Sequence, residues 1–264
     1  MSIRKLGWNR QSVDHRDFKY EMTENIVVPA EFYLPNVTTI KEQLDLGCCT
    51  GFGICGAYEI QVKNPPFLSR LFVYYNERVI EDTVFEDSGA NIRDGIKSIA
   101  SQGIASNAMC PYIVSNFTVK PSAKAYRNAL NFKIGTYQSL DNSNATVLKN
   151  ALVNGYSIVF GFTVFESFEN ISVTKTGIVP IPLLTEKALG GHCVQMVGYK
   201  PGYFKCQNSW GTAWGDKGYF WMPEQYITSQ NCSDFWVFNV VPNVIKKLSF
   251  CGTLQLQLKN LFTR

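Results

Sequence analysis

A chain of 264 residues that is 45% apolar and 17% charged can bury one large core or two ordinary lobes, and its composition excludes an intrinsically disordered protein. Its net charge of +4 comes from scattered Lys and Arg, which excludes the clustered basic footprint of a nucleic-acid binder. The longest apolar stretch, Ser157 to Phe165, is about half of what a bilayer span needs and reads as a buried strand, so no membrane partner is expected.

The chain opens on Met1-Ser2-Ile3-Arg4-Lys5, a basic start with no apolar run behind it. No secretory leader is expected, so the eight cysteines are expected to remain thiols in a reducing compartment. Residues 1–28 are polar and irregular and read as an arm or short pro-segment laid over a body. A helix is predicted from Cys49, where Phe52, Ile54, Ala57, Ile60 and Val62 give an imperfect helical spacing that Asn64-Pro65-Pro66 stops. Ser69 is placed to cap a second helix with Leu71, Tyr74, Tyr75 and Val79 on its inner face. Asn91 is placed to cap a third, with Ile92, Ile96 and Ile99 at helical spacing until Gly103 ends it. Lys124 to Leu130 is a short fourth.

After Phe132 the character changes. Residues 133–140, 156–165, 192–200, 203–210, 218–222 and 235–241 are β-rich runs bounded by Gly, Pro or Asn, interrupted by one helix at Thr146 to Val153. Helices followed by strands imply an α+β arrangement of two lobes, 29–132 and 133–242. The tail 243–264 alternates in part, through Leu254, Leu256 and Leu258, and reads as either an added strand or a helix.

Four residues carry chemistry. Cys49 stands at the expected start of a helix, where unsatisfied N–H groups and the helix dipole favour an anion and lower a thiol's pKa. His192 follows two glycines at the start of a β-run and is one of only two histidines. Asn208 ends the next run, where a hairpin returns it to His192 so that its carbonyl oxygen can fix the imidazole tautomer. Cys48, beside Cys49, is the competing thiol. No Cys-x-x-Cys occurs, and His192-Cys193 lacks a second pair at zinc spacing, so neither metal nor cofactor is expected.

These segments resemble the papain family from about Pro29 to Val241. Gln43, six residues before Cys49, is similar to the family's oxyanion-hole glutamine, and Gly47-Cys48-Cys49 to its Gly-Ser-Cys. Gly191-His192-Cys193-Val194 resembles the base strand, and Asn208-Ser209-Trp210-Gly211-Thr212 the asparagine segment. His192 lies 143 residues after Cys49 (192 − 49), within the range for papain-like enzymes. Leu46 stands where plant and lysosomal members have a disulfide cysteine, and Thr50 replaces the tryptophan after the nucleophile. Leu-Gly-x-Cys-Thr, Ser-Arg-Leu-Phe-x-Tyr-Tyr-Asn and Asp-Ser-Gly-Ala-x-Ile-Arg-Asp-Gly are similar to the xylellain-like branch of microbial and viral members.

The resemblance implies a two-lobed papain-like fold, with a helix-rich N-terminal lobe, an antiparallel β-barrel-like C-terminal lobe and the active site in the cleft between them. It implies a cysteine peptidase acting on peptide or protein substrates, in the cytoplasm or another reducing setting such as a viral particle. Cys49 is then the nucleophile, His192 the base, Asn208 its orienter and Gln43 an oxyanion donor, with Trp210 shielding the Asn208–His192 bond. Gly89 and Ala90 are expected to offer backbone to an extended peptide, Gly191 and Trp210 to take part in binding the substrate, and Val237 and Phe238 to line an apolar pocket for the residue two before the cut. The lack of a second histidine pair to clamp a carboxylate points to an endopeptidase. A catalytically silent binding module and a glutamine-transferring or deamidating enzyme are the alternatives. The arm is either a cover over its own cleft or a structural strap.

Overall fold

In the computed structural model the described residues are 4–240 apart from 25 and 63, so the expected tail element lies outside them. The helix opening at Cys49, α1 (Cys49–Ile60), is buried along all 12 of its residues. That explains its imperfect spacing, because a helix enclosed on every side has no polar face to impose a period. Against it pack α2 (Arg70–Ile80), capped as expected by Ser69, whose Oγ accepts from the Phe72 N–H at 3.0 Å, and α3 (Ile92–Gln102). Gly103 ends α3 with φ of 81°. Asn91 precedes α3, but its side chain makes no cap bond; its backbone N–H instead donates to Glu81 Oε1 at 2.6 Å. The short α4 (Ala123–Ala129) is capped by Ser122.

The inner face of α2 differs from expectation at one position. Leu71, Tyr74 and Tyr75 are buried, whereas Val79 is 49% exposed. Arg78 turns inward in its place, with its guanidinium 4.1 Å from the Tyr74 ring centroid and donating to the carbonyls of Val84, Glu86 and Phe117. Those bonds satisfy the buried cation where an apolar side chain was expected.

The six predicted β-runs form strands, joined by a two-residue strand that the sequence did not reveal. β1 (Phe32–Tyr33) precedes α1, and β2 (Ile134–Leu140), β3 (Ile158–Phe165), β4 (Ala188–Lys200), β5 (Tyr203–Gln207), β6 (Tyr219–Pro223) and β7 (Cys232–Val240) follow. They make one seven-stranded sheet in the order β2-β7-β3-β4-β5-β6, with β1 added to β4 and every pairing antiparallel. Between strands lie α5 (Ala145–Val153), α6 (Ile171–Thr176) and α7 (Glu224–Ile227); the last two are too short to leave a periodic signal. No helix among the described residues is long and apolar enough to cross a membrane.

Packing of α1 on β4 positions the site. A Cβ on Gly53 would lie 3.0 Å from Cys193 Sγ, so this glycine lets the helix that starts at Cys49 settle against the strand that carries His192. The arm crosses the cleft and then extends the sheet, with Ser139 N–H donating to Phe18 O at 2.8 Å and Tyr20 N–H to Ser139 O at 2.9 Å along β2.

Behind α1, Arg70 and Glu59 form a buried fork with bonds of 2.6 and 2.7 Å, and Glu59 also accepts from the Leu68 N–H. Removing one charge strands the other in the interior. Glu59→Gln is therefore expected to cost about 3 kcal/mol or more of unfolding free energy in a denaturant titration. A loss under about 1 kcal/mol would contradict this account of the pair.

Candidate active site

Cys49 is the first residue of α1 and is fully buried, with Sγ accepting from the Cys193 N–H of β4 at 3.3 Å. One residue earlier on β4 stands His192, also fully buried. The β4–β5 hairpin returns Asn208 to it, and His192 Nε2 lies 2.8 Å from Asn208 Oδ1. That same oxygen accepts from the Ser209 backbone N–H at 2.8 Å. A backbone amide can only donate, so it fixes which amide atom is the oxygen, and the imidazole must carry its hydrogen on Nε2. Nδ1 is left as a bare lone pair with no hydrogen-bond partner among the described residues. The Trp210 ring lies 4.8 Å from the imidazole centroid, tilted by 31°, and is itself buried.

Gln43 joins this group through a bond the sequence did not suggest. Its Oε1 accepts from Ser209 Oγ at 2.6 Å, which turns its Nε2 toward the carbonyls of Leu46 at 2.9 Å and Lys5 at 3.1 Å. Lys5 belongs to the arm. Cys48 points elsewhere: its sulfur meets the Tyr112 hydroxyl at 3.0 Å, and that hydroxyl donates to Gln43 O at 2.6 Å.

The arm therefore runs through the cleft. Ala90 N–H donates to Gly7 O at 2.8 Å, Asn9 N–H donates to Ala90 O at 3.0 Å, and Trp8 N–H donates to Gly191 O at 2.9 Å. Ala90 and Gly191 thus present backbone to an extended chain. Gly89 does not, because its N–H is taken by the Tyr74 hydroxyl at 3.1 Å. Lys5 Nζ pairs with Asp87 Oδ2 at 2.7 Å, and Arg4 with Glu42 at 2.8 Å. Gly7 sits so close to the loop before α1 that a Cβ on it would fall 1.8 Å from the Gly47 carbonyl oxygen, a backbone atom that cannot yield.

Two expected residues lie elsewhere. Val237 and Phe238 are each 1% exposed and belong to two core clusters, because β7 runs between β2 and β3 with both faces covered. Neither lines an open pocket. The sequence reading missed Ser209, Asp87 and Asp234. Ser209 stood inside the Asn-Ser-Trp motif, which was its only signal. Asp87 accepts from the Gly47 N–H and the Tyr74 hydroxyl, and Asp234 accepts from Trp8 Nε1 at 3.0 Å. No cluster of His, Cys, Asp and Glu among the described residues is arranged to hold a metal.

A papain family cysteine protease model matches residues 33–235. The chain belongs to the papain family of cysteine proteases. It is 38% identical to an uncharacterized peptidase C1-like protein of Acanthamoeba polyphaga mimivirus, over 92% of this chain and 89% of that protein. It is 28% identical to cathepsin B of Dictyostelium discoideum, over 70% of this chain and 66% of that protein. Its fold matches xylellain, a cysteine protease from Xylella fastidiosa, with a TM-score of 0.85 and 33% identity, covering 91% of this chain and 99% of that one. The papain-like, xylellain-like fold and the cysteine peptidase assignment read from the motifs are thus borne out.

Within this papain-family cleft Cys49 and His192 are fully buried, and their charged forms suffer. Burial pushes the Cys49 thiol up to about 12, against backbone N–H donors that include Cys193 and Gly7. Burial likewise pulls the His192 imidazole down to about 4, only partly opposed by Asn208. Both groups are neutral when the arm is docked. Because a histidine free in water titrates near pH ~6.5, His192 contributes stability that is present above that pH and lost as the pH falls toward its folded value. The melting temperature is expected to drop across this window, with a slope of at most about 1.4 kcal/mol per pH unit from this one proton. His192→Asn should flatten that part of the profile; identical profiles would contradict a neutral, buried imidazole.

Proposed function

We propose that this papain-family protease cleaves internal peptide bonds with Cys49 as nucleophile, His192 as acid and base, Asn208 as its orienter and Gln43 as an oxyanion donor. The observation that carries the reading is the 2.8 Å His192 Nε2–Asn208 Oδ1 bond, which leaves Nδ1 as the basic nitrogen. With the arm displaced and water admitted, Nδ1 takes the Cys49 proton and the helix N-terminus stabilises the thiolate. The sulfur attacks the substrate carbonyl carbon, and the oxyanion is held by Gln43 Nε2 and the Cys49 N–H, each worth roughly 3–4 kcal/mol at comparable sites. The imidazolium then protonates the leaving amine, giving a thioester that water hydrolyses with His192 as base.

Lys5 O, against Gln43 Nε2, occupies the place this mechanism gives to a substrate carbonyl oxygen. The arm is thus read as a cover over its own cleft as well as a strap along β2. Endopeptidase action is supported by the arm itself, a continuous chain that enters and leaves the cleft through Arg4 and Asn9. Cys49 is favoured over Cys48 because the Cys48 sulfur is engaged by Tyr112.

Full-length Gly7→Val protein, in which the arm cannot seat, is expected to cut an unfolded protein substrate at internal bonds, read as new N-termini by mass spectrometry. Adding Cys49→Ala should abolish this with an unchanged circular dichroism spectrum, whereas adding Cys48→Ala should retain it. Turnover persisting in the Cys49→Ala form would overturn the assignment.

A further inference from the structure

Beneath the asparagine segment, α1 and strands β4 and β5 wall a cavity of about 20 Å³, lined in part by Phe52, Gly53, Arg70, Gln195, Gln207 and Asn208. That volume takes one water-sized particle, for which roughly 10–15 Å³ is the minimum. Arg70 and Asn208 are only 2% and 3% exposed. Each carries a buried N–H donor, Arg70 Nε and Asn208 Nδ2, that has no hydrogen-bond partner among the described residues. The rest of each side chain is committed. Arg70 Nη1 and Nη2 are held on Glu59, and Asn208 Oδ1 meets His192 and the Ser209 N–H. Two unpaired donors on the wall of one small cavity cost free energy that an acceptor placed there recovers.

Acceptors on the wall are already engaged. Gln207 Oε1 accepts from Gln195 Nε2 at 2.5 Å, Gln195 Oε1 from the Ser157 hydroxyl at 3.3 Å, and the Thr38 carbonyl from Gln207 Nε2 at 3.0 Å. Charge leans the same way. Lys41 also lines the cavity, and its ammonium and the Arg70 guanidinium share one ring, at 5.1 and 4.9 Å from the Phe67 centroid. The Thr39 hydroxyl accepts one of the three ammonium hydrogens. Glu59, the carboxylate whose charge reaches Lys41, places both oxygens on Arg70. Burial, and then the charge of Arg70, pull the Lys41 ammonium below its ordinary range, as befits a cation short of an anion.

We propose that this cavity binds a single halide ion, chloride in ordinary solution, held by Arg70 Nε, Asn208 Nδ2 and the Lys41 ammonium. Arginine and lysine donate and never accept, so a water placed here finds donors in excess and the nearby acceptors engaged. A halide accepts from all three groups and offsets the surplus positive charge. Carboxylates, phosphate and sulfate are too large for a cavity of one water. Entry is from a surface groove of about 560 Å³ that shares Thr38, Thr39 and Lys41 with the cavity. Once seated, the ion accepts from the same amide whose oxygen meets His192, which ties it to the candidate base.

The test compares the melting temperature of the full-length chain in sodium chloride and in sodium gluconate at one ionic strength, which equalises screening. Chloride is expected to raise the midpoint saturably, by at least about 3 °C, as a ligand of the folded state does. Lys41→Met keeps the stem, removes the charge and is expected to cut that rise to under about 1 °C. Bromide then locates the ion. Crystals of the full-length protein grown in bromide should show an anomalous peak within hydrogen-bond reach of Arg70 Nε and Asn208 Nδ2. Equal midpoints in the two salts, a chloride rise that survives Lys41→Met, or a cavity holding water with no anomalous signal overturns the proposal. Should Lys41→Met fold poorly, the bromide peak in the parent protein decides. Neither readout involves turnover, so the halide site and the peptidase reading fail separately.

Discussion

Gly7 lies against the Gly47 carbonyl at a separation that leaves no volume for a side chain, and the closed form of the cleft depends on that approach. It lets the Lys5 carbonyl reach Gln43 and Trp8 reach Asp234, with the main chain held on Ala90 and Gly191 between them. Water is excluded as a consequence, and the thiol and imidazole beneath are each driven to their neutral forms by burial.

The groove under the arm is cross-linked by polar side chains that each join separate segments. Asp87 links the loop before α1 at Gly47, helix α2 at Tyr74 and the arm at Lys5. Ser209 bridges the asparagine segment to Gln43. The two departures from the plant and lysosomal pattern also find physical explanations. Leu46 packs with Cys48, Phe52, Leu71 and Tyr74, so apolar contact holds the segment where those relatives use a disulfide. Thr50, in the tryptophan's place, donates through Oγ1 to the buried Glu77 at 2.7 Å.

Much of this was legible because the signals were local. Ser69 as a cap, Gly103 as a stop and the β-rich runs each follow from a few neighbouring residues, and the hairpin between His192 and Asn208 was enough to anticipate the bond between their side chains. What stayed hidden required knowledge of both partners in a contact. In β7, covered on both faces, alternation carries no direction, so Val237 and Phe238 could not be told from pocket residues. The inward turn of Arg78 depends on backbone carbonyls from three other segments. A bulge at Asp234 leaves no mark on composition, and a two-residue strand such as β1 is below any periodicity.

The central claim, that the seated arm keeps Cys49 buried and uncharged, is tested most directly by the rate at which iodoacetamide alkylates Cys49 at neutral pH. The full-length chain is compared with its Gly7→Val variant, and the site is read by peptide mass spectrometry. The account predicts slow labelling in the parent and a rise of at least about tenfold in the variant, as the equilibrium moves to the open form. Equal rates in the two proteins would contradict it.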